Sequence, residues 1–320
     1  MKTIRWGLVG AGDIAEKRVA PALAQGRGSE LTSVCRRQAD RAEEFARRFG
    51  AGRWHTRWEE LVSDKGIDAV YVATPTDLHA PISIAAARAG KHVLCEKPMA
   101  MNLAECDAMI RAADENGVLL GIAYYRHFYP IVQRIKELLA EGAVGVPVTA
   151  QINAFERFDP APDHPRAWLL RAGQSGGGPM FDFGCHRVEV LTNLLGVVDG
   201  VESRLTRAAL TREVEDTCAA ILHFQSGALA TLTVSHAAIE PQDTLHIFGT
   251  EGSLHVPKLN GAELRILRGT AETVEEHPAA ANLHQPLVDQ FVDAIHGAGA
   301  PAVDGRAGRA VNRVLGEIYG

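Results

Sequence analysis

Residues 4–15 read IRWGLVGAGDIA, an apolar run followed directly by a glycine-rich turn. Ile4–Val9 has the length and apolar character of a buried strand, and the segment from Asp13 to Gln25 predicts a helix. Residues 10–15 therefore form a G-x-G-x-x-A pattern between a strand and a helix, as the fingerprint of dinucleotide-binding folds requires. Without these neighbours the same pattern would indicate only a tight turn.

Each position of this fingerprint has a physical task. The first glycine permits the turn, the second lets backbone approach a pyrophosphate, and the alanine allows close helix–strand packing. The start of the helix presents free N–H groups to phosphate charge. The cofactor contacts predicted in this turn are Gly10, Gly12, Asp13, Ile14 and Ala15.

Strand-like and helix-like segments alternate from the fingerprint as far as residue 123. Further strands are predicted at Leu31–Cys35, Asp68–Thr74, His92–Cys95 and Val118–Ala123, and helices at Ala39–Phe49, Leu78–Ala89 and Leu103–Asn116. Such alternation with short loops indicates right-handed βαβ units and a parallel sheet. The predicted fold class is α/β, with an N-terminal Rossmann domain over residues 1–123.

The pattern changes after Tyr124, and residues 124–320 are predicted to form a second, α+β domain. A helix at Ile131–Glu141 and a strand at Val146–Phe155 precede an irregular stretch, Asp159–Pro179. Strands are then predicted at Cys218–Phe224, Ala228–His236, Thr244–Phe248, Ser253–Val256 and Glu263–Leu267, and helices at Leu287–His296 and Gly305–Ile318. Ser226-Gly227 between the first two of these strands is a hairpin signal. This pattern predicts a mainly antiparallel sheet with helices on one face.

Composition excludes several classes of protein. The chain has 320 residues, 46% of them hydrophobic and 22% charged, which is typical of a globular protein with two domains. A net charge of −6 offers no footprint for nucleic acid, and no apolar run is long enough to cross a membrane. Five cysteines without a C-x-x-C pair predict neither disulfides nor a zinc site, and fit the cytoplasm.

The end of the second predicted strand bears on the type of cofactor. NAD sites usually place an acidic residue there to bind the ribose hydroxyls. This chain has Arg36 and Arg37 after Cys35, and its next carboxylate is Asp40. Guanidinium groups bind phosphate bidentately, so NADP(H) is favoured and NAD(H) stays possible. The alternative is that both arginines are solvated residues before a basic helix.

A lysine follows the predicted strand at His92–Cys95, where Glu96-Lys97-Pro98 reaches the carboxyl edge of the sheet. Ligands of open α/β sheets bind at this edge. The strand that begins at Asp68 ends there in Thr74-Pro75, so two X-Pro turns would frame a nicotinamide ring. Lys97 on its own would more often be a surface residue.

Asp182 and His186 have the i, i+4 spacing that places two side chains on one helical face. The ordinary explanation is an acid that stabilises the start of a helix above a hydrogen-bonded histidine. Two polar groups that point into one pocket would have the same spacing. A metal site is the poorer alternative, because the pair offers two ligands and zinc needs at least three from the protein.

Five pieces of the sequence together resemble the glucose–fructose oxidoreductase / inositol dehydrogenase / MocA family of NAD(P)-dependent enzymes. They are GAGDIA at 10–15, ATPTDLH at 73–79, AGKHVLCEKP at 89–98, GGGPMFDFGCH at 176–186 and GTEGSL at 249–254. The resemblance covers essentially the whole chain. It implies an open second-domain sheet that often forms dimer contacts, and therefore a homodimer or homotetramer.

The same resemblance assigns roles to residues. It makes Lys97 the main catalytic candidate, preceding a cis bond to Pro98, and places Asp182 and His186 in the substrate pocket. Cofactor contacts are further implied for Arg36, Arg37, Thr74, Pro75, His79, Glu96 and Lys97. Substrate contacts are implied for Tyr125, Arg126, Trp168, Asp182 and His186, although the family pattern is altered around Tyr125 and these aromatics would equally pack the domain junction.

The predicted activity is an NADP-preferring dehydrogenase or reductase acting on a sugar, a polyol or a related small carbonyl compound. Lys97 and His186 would handle the proton on the reacting oxygen, and Asp182 would orient a hydroxyl or His186. Two alternatives stay open: an NAD-dependent glycoside hydrolase of the same fold, and a non-catalytic sensor of cofactor or sugar.

Overall fold

The structure, a computed structural model, describes residues 2–320. The chain divides into two compact units: the first runs to Tyr125 and also contains Ala281–Asn312, and the second contains Arg126–Ala280 and Arg313–Gly320. The sequence had assigned everything after residue 123 to the second domain. The segment 281–312 belongs instead to the first unit, because an amphipathic helix shows that it has an apolar face but not which core that face joins.

The first unit contains a parallel sheet whose strands, within the described residues, have the order β3-β2-β1-β4-β5-β6. The strands are β1 (Ile4–Val9), β2 (Ser29–Cys35), β3 (Arg53–His55), β4 (Ala69–Val72), β5 (His92–Cys95) and β6 (Leu120–Ile122). This is the strand order of a Rossmann fold, so the predicted fold class is confirmed. The strand order reverses between β1 and β4, where such sheets bind their ligands.

Helices cover this sheet. They are Ala20–Gln25, which continues a π-helical turn at Ala15–Val19, then Ala39–Phe49, Trp58–Val62, His79–Arg88, Leu103–Glu115 and Gln285–Ile295, with a 3₁₀ turn at Thr76–Leu78. β4 is buried along its whole length, as expected of a strand with both faces covered. The ring of Trp6 lies 5.9 Å from that of Phe291, so the returning segment completes this core.

The second unit contains a mixed, mainly antiparallel sheet of order β15-β14-β13-β12-β7-β10-β9-β8, with β11 paired to β7. Its strands are β7 (Pro147–Phe155), β8 (Val198–Thr206), β9 (Thr217–Phe224), β10 (Leu229–Ser235), β11 (Gln242–Asp243), β12 (Leu245–Gly249), β13 (Gly252–Val256), β14 (Glu263–Arg268) and β15 (Ala271–Glu276). Among the described strands of this second sheet, β7 and β10 form the one parallel pair. The predicted hairpin between β9 and β10 is confirmed.

Helices of the second unit pack on one face of this sheet, so that apolar side chains of β7, β9 and β10 alternate between buried and exposed. The helices are Pro130–Ala140, Ala172–Ser175 and Cys185–Leu195, the last preceded by a π-helical turn at Met180–Gly184. Short 3₁₀ segments occur at Tyr125–Phe128 and Ala167–Leu170. The final helix, Gly305–Tyr319, contributes to both units.

None of the helices in residues 2–320 is long and apolar enough to span a membrane. The same residues contain no group of three or more histidine, cysteine, aspartate or glutamate side chains that could hold a metal ion.

Candidate active site

The fingerprint turn requires glycine at its first position. Gly10 has φ of +97°, a conformation that L side chains rarely adopt. A Cβ atom built there would lie 2.4 Å from the carbonyl oxygen of Ala73, at the end of β4. The Gly10 N–H donates to the carbonyl of Cys35, at the end of β2, over 3.1 Å. The turn therefore contacts both neighbours of β1: it is hydrogen-bonded to the end of β2 and lies close to the end of β4.

The second glycine serves a different purpose. A Cβ atom built on Gly12 would meet no described protein atom within 4 Å, so the backbone faces open space. Ala15 is fully buried, as close packing between helix and strand demands. Open space before a backbone turn at the start of a helix fits the pyrophosphate of a dinucleotide. The residues present thus suit the cofactor that the fingerprint predicts.

Arg36 and Arg37 lie just beyond β2, at the same edge of the sheet. Arg36 is half-buried and its backbone N–H donates to His55 over 3.1 Å, while Arg37 is exposed. Within residues 2–320 neither guanidinium lies within ion-pair distance of a carboxylate. Both guanidinium groups therefore lie without an ion-pair partner among these residues, at the place where the ribose of a dinucleotide binds in Rossmann folds.

The two X-Pro turns are tied together by His79. One ring nitrogen, Nε2, lies 3.0 Å from the carbonyl oxygen of Thr74, and Nδ1 lies 2.9 Å from that of Pro98. The peptide bond between Lys97 and Pro98 is cis, which confirms the expectation. Burial lowers the pKa of His79, and the two carbonyl groups act in the opposite direction. Because both nitrogens face protein carbonyls, the geometry gives His79 a bracing position.

Glu96 is the centre of a buried polar cluster in the first unit. Its Oε1 accepts from the Tyr71 hydroxyl over 2.8 Å and lies 3.3 Å from Nε2 of His284. Its Oε2 accepts the backbone N–H of Lys97 over 3.3 Å. Burial raises the pKa of Glu96, but the hydrogen bond and charge of His284, with the charge of Lys97, outweigh it and lower the pKa to about 2. The cluster fixes the backbone that carries Lys97.

Two members of this cluster were missed at the sequence level. Tyr71 is the one hydroxyl-bearing residue in the otherwise apolar run AVYV, a signal that could have been read. His284 has no local signal, because it reaches Glu96 only through the return of residues 281–312 to the first unit. Its ring stacks on that of Tyr125 at 4.6 Å, which places this predicted pocket residue in the first unit.

Asp182 and His186 both lie in the second unit, in the π-helical turn and the helix that follows it. Asp182 Oδ2 lies 3.3 Å from Nη2 of Arg166 and 3.5 Å from Nε2 of His236. His186 is buried. His236, which lies at the end of a predicted strand, is fully buried, and its Nε2 faces Asp182. A histidine directly after the carboxyl end of a strand was the available signal.

The glycine-rich approach to Asp182 is held by Glu215. This buried carboxylate accepts from the backbone N–H groups of Gly178 over 2.8 Å and Met180 over 3.3 Å, and from the Tyr319 hydroxyl over 2.5 Å. It caps a helix start from a distant part of the chain. Burial raises the pKa of Tyr319 well above its usual range.

The remaining predicted pocket residues of the second unit are Arg126 and Trp168. The Arg126 guanidinium is buried, donates to Asn260 Oδ1 over 3.2 Å and lies 3.9 Å from Asp243 Oδ2. Trp168 is half-buried in the 3₁₀ segment Ala167–Leu170. The structure thus brings the predicted cofactor residues together in the first unit, and Asp182 together with Arg166 and His236 in the second.

The sequence matches two family descriptions in succession. Residues 4–124 match the oxidoreductase family with an NAD-binding Rossmann fold, and residues 132–255 match the GFO/IDH/MocA C-terminal domain. The 1,5-anhydro-D-fructose reductase of Ensifer adhaerens is 34% identical over 310 residues, covering 95% of this chain and 92% of that protein.

Two further relatives are also named as a dehydrogenase or an oxidoreductase. The D-xylose 1-dehydrogenase (NADP(+)) 2 of Haloferax volcanii is 31% identical over 324 residues, covering 98% of this chain and 96% of that protein. The solved structure of an aldose-aldose oxidoreductase from Caulobacter crescentus superposes with a TM-score of 0.90 at 26% identity, covering 99% of this chain and 97% of that one. With its fingerprint turn, its strand order and these relatives, the chain belongs to the GFO/IDH/MocA family and is an NAD(P)-dependent oxidoreductase.

Proposed function

We propose that the protein is an NADP-preferring oxidoreductase that transfers hydride between the nicotinamide and a sugar, a polyol or a related small carbonyl compound. The cofactor preference rests on the residues that follow β2. Arg36 and Arg37 form no ion pair there with any described residue, and the acidic residue of an NAD site is missing. A 2′-phosphate would supply the dianion that two guanidinium groups bind well.

The substrate class rests on the relatives. The enzymes named above act on an anhydro-sugar and an aldose, and one carries NADP in its name. These substrates share a carbonyl or hydroxyl carbon among several hydroxyl groups. A pocket for them needs charged and polar side chains that bind hydroxyls, and Arg166, Asp182 and His186 are of that chemistry.

The mechanism that we propose assigns proton handling to the chain. The bound nicotinamide would supply or accept the hydride at a carbon that bears oxygen. Lys97, whose backbone the Glu96 cluster fixes, and His186 would give or take the proton on that oxygen. Asp182 would accept a hydrogen bond from a substrate hydroxyl or orient His186. General acid–base assistance of this kind contributes roughly a hundred- to ten-thousand-fold to the rate.

An absorbance assay of the reduced cofactor tests this proposal. 1,5-Anhydro-D-fructose with NADPH and D-xylose with NADP⁺ are the first probes, with NADH and NAD⁺ in parallel. We expect Lys97→Ala to depress kcat by at least about a hundredfold with cofactor affinity kept, while the exposed Lys65→Ala behaves as wild type. Full activity of Lys97→Ala would remove the assignment. Cofactor binding without turnover of any sugar would support a glycoside hydrolase or a sensor instead, and a hydrolysis assay separates these two.

The cofactor preference has its own test. Arg36→Ala should weaken NADPH binding about tenfold or more and leave NADH binding nearly unchanged, because only NADPH carries the 2′-phosphate. The matched control is Arg47→Ala, which removes an exposed arginine in the helix Ala39–Phe49 that follows. Tighter binding of NADH than of NADPH by the wild type at moderate salt contradicts the proposal.

Assembly and location complete the proposal. We infer a homodimer or homotetramer that associates through the exposed face of the second-unit sheet, where Ile221 and Leu229 are exposed. Size-exclusion chromatography with light scattering measures this directly. A cytoplasmic location is supported by the five cysteines of the sequence, which are all buried and include no C-x-x-C pair.

A further inference from the structure

The half-buried Arg212 and the fully buried His236 form a pair behind Asp182 in the second unit. Nη2 of Arg212 lies 3.0 Å from Nδ1 of His236. A guanidinium group can only donate hydrogen bonds, so Nδ1 of His236 must be the acceptor. A neutral imidazole then carries its single proton on Nε2. The contact with Arg212 therefore selects one tautomer of His236.

Several contacts prevent this pair from rearranging. Arg212 also donates to the carbonyl oxygens of Phe158 over 3.1 Å and Glu215 over 2.9 Å. The His236 ring is fully buried, with the rings of Phe158 and Phe183 at 5.0 and 5.2 Å. The backbone N–H of His236 donates to Asp216 over 2.8 Å. The ring can neither flip nor withdraw without breaking these contacts.

The selected proton faces Asp182. Nε2 of His236 has no hydrogen-bond partner among the described residues, and Oδ2 of Asp182 lies 3.5 Å away. That separation is long for a hydrogen bond, and a buried donor without an acceptor is unfavourable. A shift of Asp182 by a few tenths of an ångström would complete the bond. Catalytic hydrogen bonds are often long before substrate binds and shorten afterwards.

Arg166 restrains the same carboxylate from the other direction. Its Nη2 lies 3.3 Å from Oδ2, and its guanidinium stacks on the Phe158 ring at 4.5 Å. Phe158 thus packs against both Arg166 and His236, the two side chains that face Asp182. One oxygen of the carboxylate is engaged by two donors whose own positions are fixed by buried neighbours.

We infer that His236 is a positioning residue that, held in its Nε2–H tautomer by Arg212, orients Asp182 as the acceptor for a substrate hydroxyl. This inference rests on the proposed function, because it takes Asp182 to bind substrate. It extends that function by naming what sets the selectivity of the site: a fixed carboxylate selects substrates with a hydroxyl at one position and penalises analogues that lack it. His236 itself is buried and does not touch the substrate.

The tautomer can be tested without any activity. In protein labelled with ¹⁵N-histidine, the His236 signals are those absent from His236→Phe. At about pH 7.5 we expect an unprotonated Nδ1 and a protonated Nε2. We also expect Asp182→Asn to move the Nε2–H signal. The opposite tautomer, or a signal that ignores Asp182→Asn, would overturn the inference.

Steady-state kinetics with 1,5-anhydro-D-fructose and NADPH, or with D-xylose and NADP⁺, gives the second test. His236→Phe keeps the aromatic packing and removes the donor, so KM should rise about tenfold while kcat changes by less than about threefold. His236→Gln restores a donor and should recover most of the loss. His277→Phe, at another histidine of this unit, is the matched control and should be silent.

The Asp182→Asn variant distinguishes a failure of the positioning inference from a failure of the proposed function. If it raises KM and His236→Phe adds nothing further in the double variant, the two residues act as one unit, as we infer. If Asp182→Asn raises KM and His236→Phe leaves it unchanged, the positioning inference is wrong and the proposed function stands. If Asp182→Asn has no effect on kinetics, the proposed role of Asp182 is wrong, and with it the inference about His236.

Discussion

At the scale of single residues, the fingerprint turn shows two different reasons for a glycine at a given position. Gly10 is required by backbone conformation and by the nearby carbonyl of Ala73, whereas Gly12 is required by what must approach the turn from outside. The first requirement concerns folding and the second concerns the cofactor. The two positions should therefore respond differently to the same added methyl group.

Gly12→Ala should unfold at nearly the wild-type temperature but bind NADPH at least about tenfold more weakly, because its Cβ enters the space for the pyrophosphate. Gly10→Ala should lower the free energy of unfolding by about 1–3 kcal/mol, because the Cβ meets Ala73 and φ is positive. Thermal unfolding and cofactor titration measure both. Equal effects of the two variants on stability would contradict this division.

Glu96 makes stability depend on pH through its pKa of about 2 in the folded protein, against 4.5 for an ordinary glutamate. A lowered pKa means that the ionised form stabilises the fold above about pH 5, and that this contribution is lost as the pH falls toward 2. Glu96→Gln should therefore lower the free energy of unfolding by roughly 1–3 kcal/mol at pH 7 and by less near pH 3.

Denaturant unfolding at both pH values measures this difference, with the exposed Glu43→Gln as the control. A larger loss at pH 3 than at pH 7 would show that the carboxylate does not stabilise the fold in its ionised form.

At the scale of elements, the helix that carries His186 begins in an unusual way. A glycine run and a π-helical turn at Met180–Gly184 precede it, and the cap comes from Glu215 and Tyr319, far away in sequence. The turn that holds Asp182 is thus built by tertiary contacts more than by local capping residues. Its geometry should be sensitive to those two side chains.

Glu215→Gln should lower the free energy of unfolding by about 1–3 kcal/mol, because an amide cannot accept from all three donors. Tyr319→Phe removes one donor and should cost about 1 kcal/mol. Both should raise KM for the sugar substrate, since Asp182 lies in the capped turn. The exposed Glu240→Gln is the control for thermal unfolding. Unchanged stability of Glu215→Gln would remove the proposed cap.

Three of the strands that the sequence did not predict lie at the edges of the two sheets. β8 and β15 lie at the two edges of the second-unit sheet, and most of their side chains are exposed or half-buried. Edge strands lack the alternation of apolar and polar residues that marks a half-buried strand. β3 at Arg53–His55 was missed for a related reason, being three residues long at the edge of the parallel sheet.

At the scale of the whole molecule, the chain leaves the first unit after Tyr125 and returns to it at Ala281. The returning helix Gln285–Ile295 contributes Phe291 to the core beside Trp6, and a Cβ on Gly121 would lie 2.8 Å from the Phe291 ring. The cofactor domain is therefore incomplete without residues that lie beyond the second-unit sheet in the sequence.

Phe291→Ala should lower the free energy of unfolding by about 3–5 kcal/mol, because a buried aromatic side chain is replaced by a cavity. Denaturant unfolding followed by tryptophan fluorescence is a suitable measurement, since Trp6 lies beside the change. Asp289→Ala on the same helix should cost no more than about 0.5 kcal/mol. A small effect of Phe291→Ala would mean that the returning helix is not part of this core.

The sequence by itself determined the parallel sheet, the mainly antiparallel second sheet and the fingerprint turn. These follow from local patterns: strand and helix periodicity, glycine where φ is positive, and motifs whose neighbours confirm them. The cis bond before Pro98 was implied by the resemblance to the family, and the structure contains it. Only the tertiary structure decided that residues 281–312 join the first unit, that His284 meets Glu96, and that His236 faces Asp182. Such contacts join residues far apart in the chain, and periodicity records that a face is buried without recording what buries it.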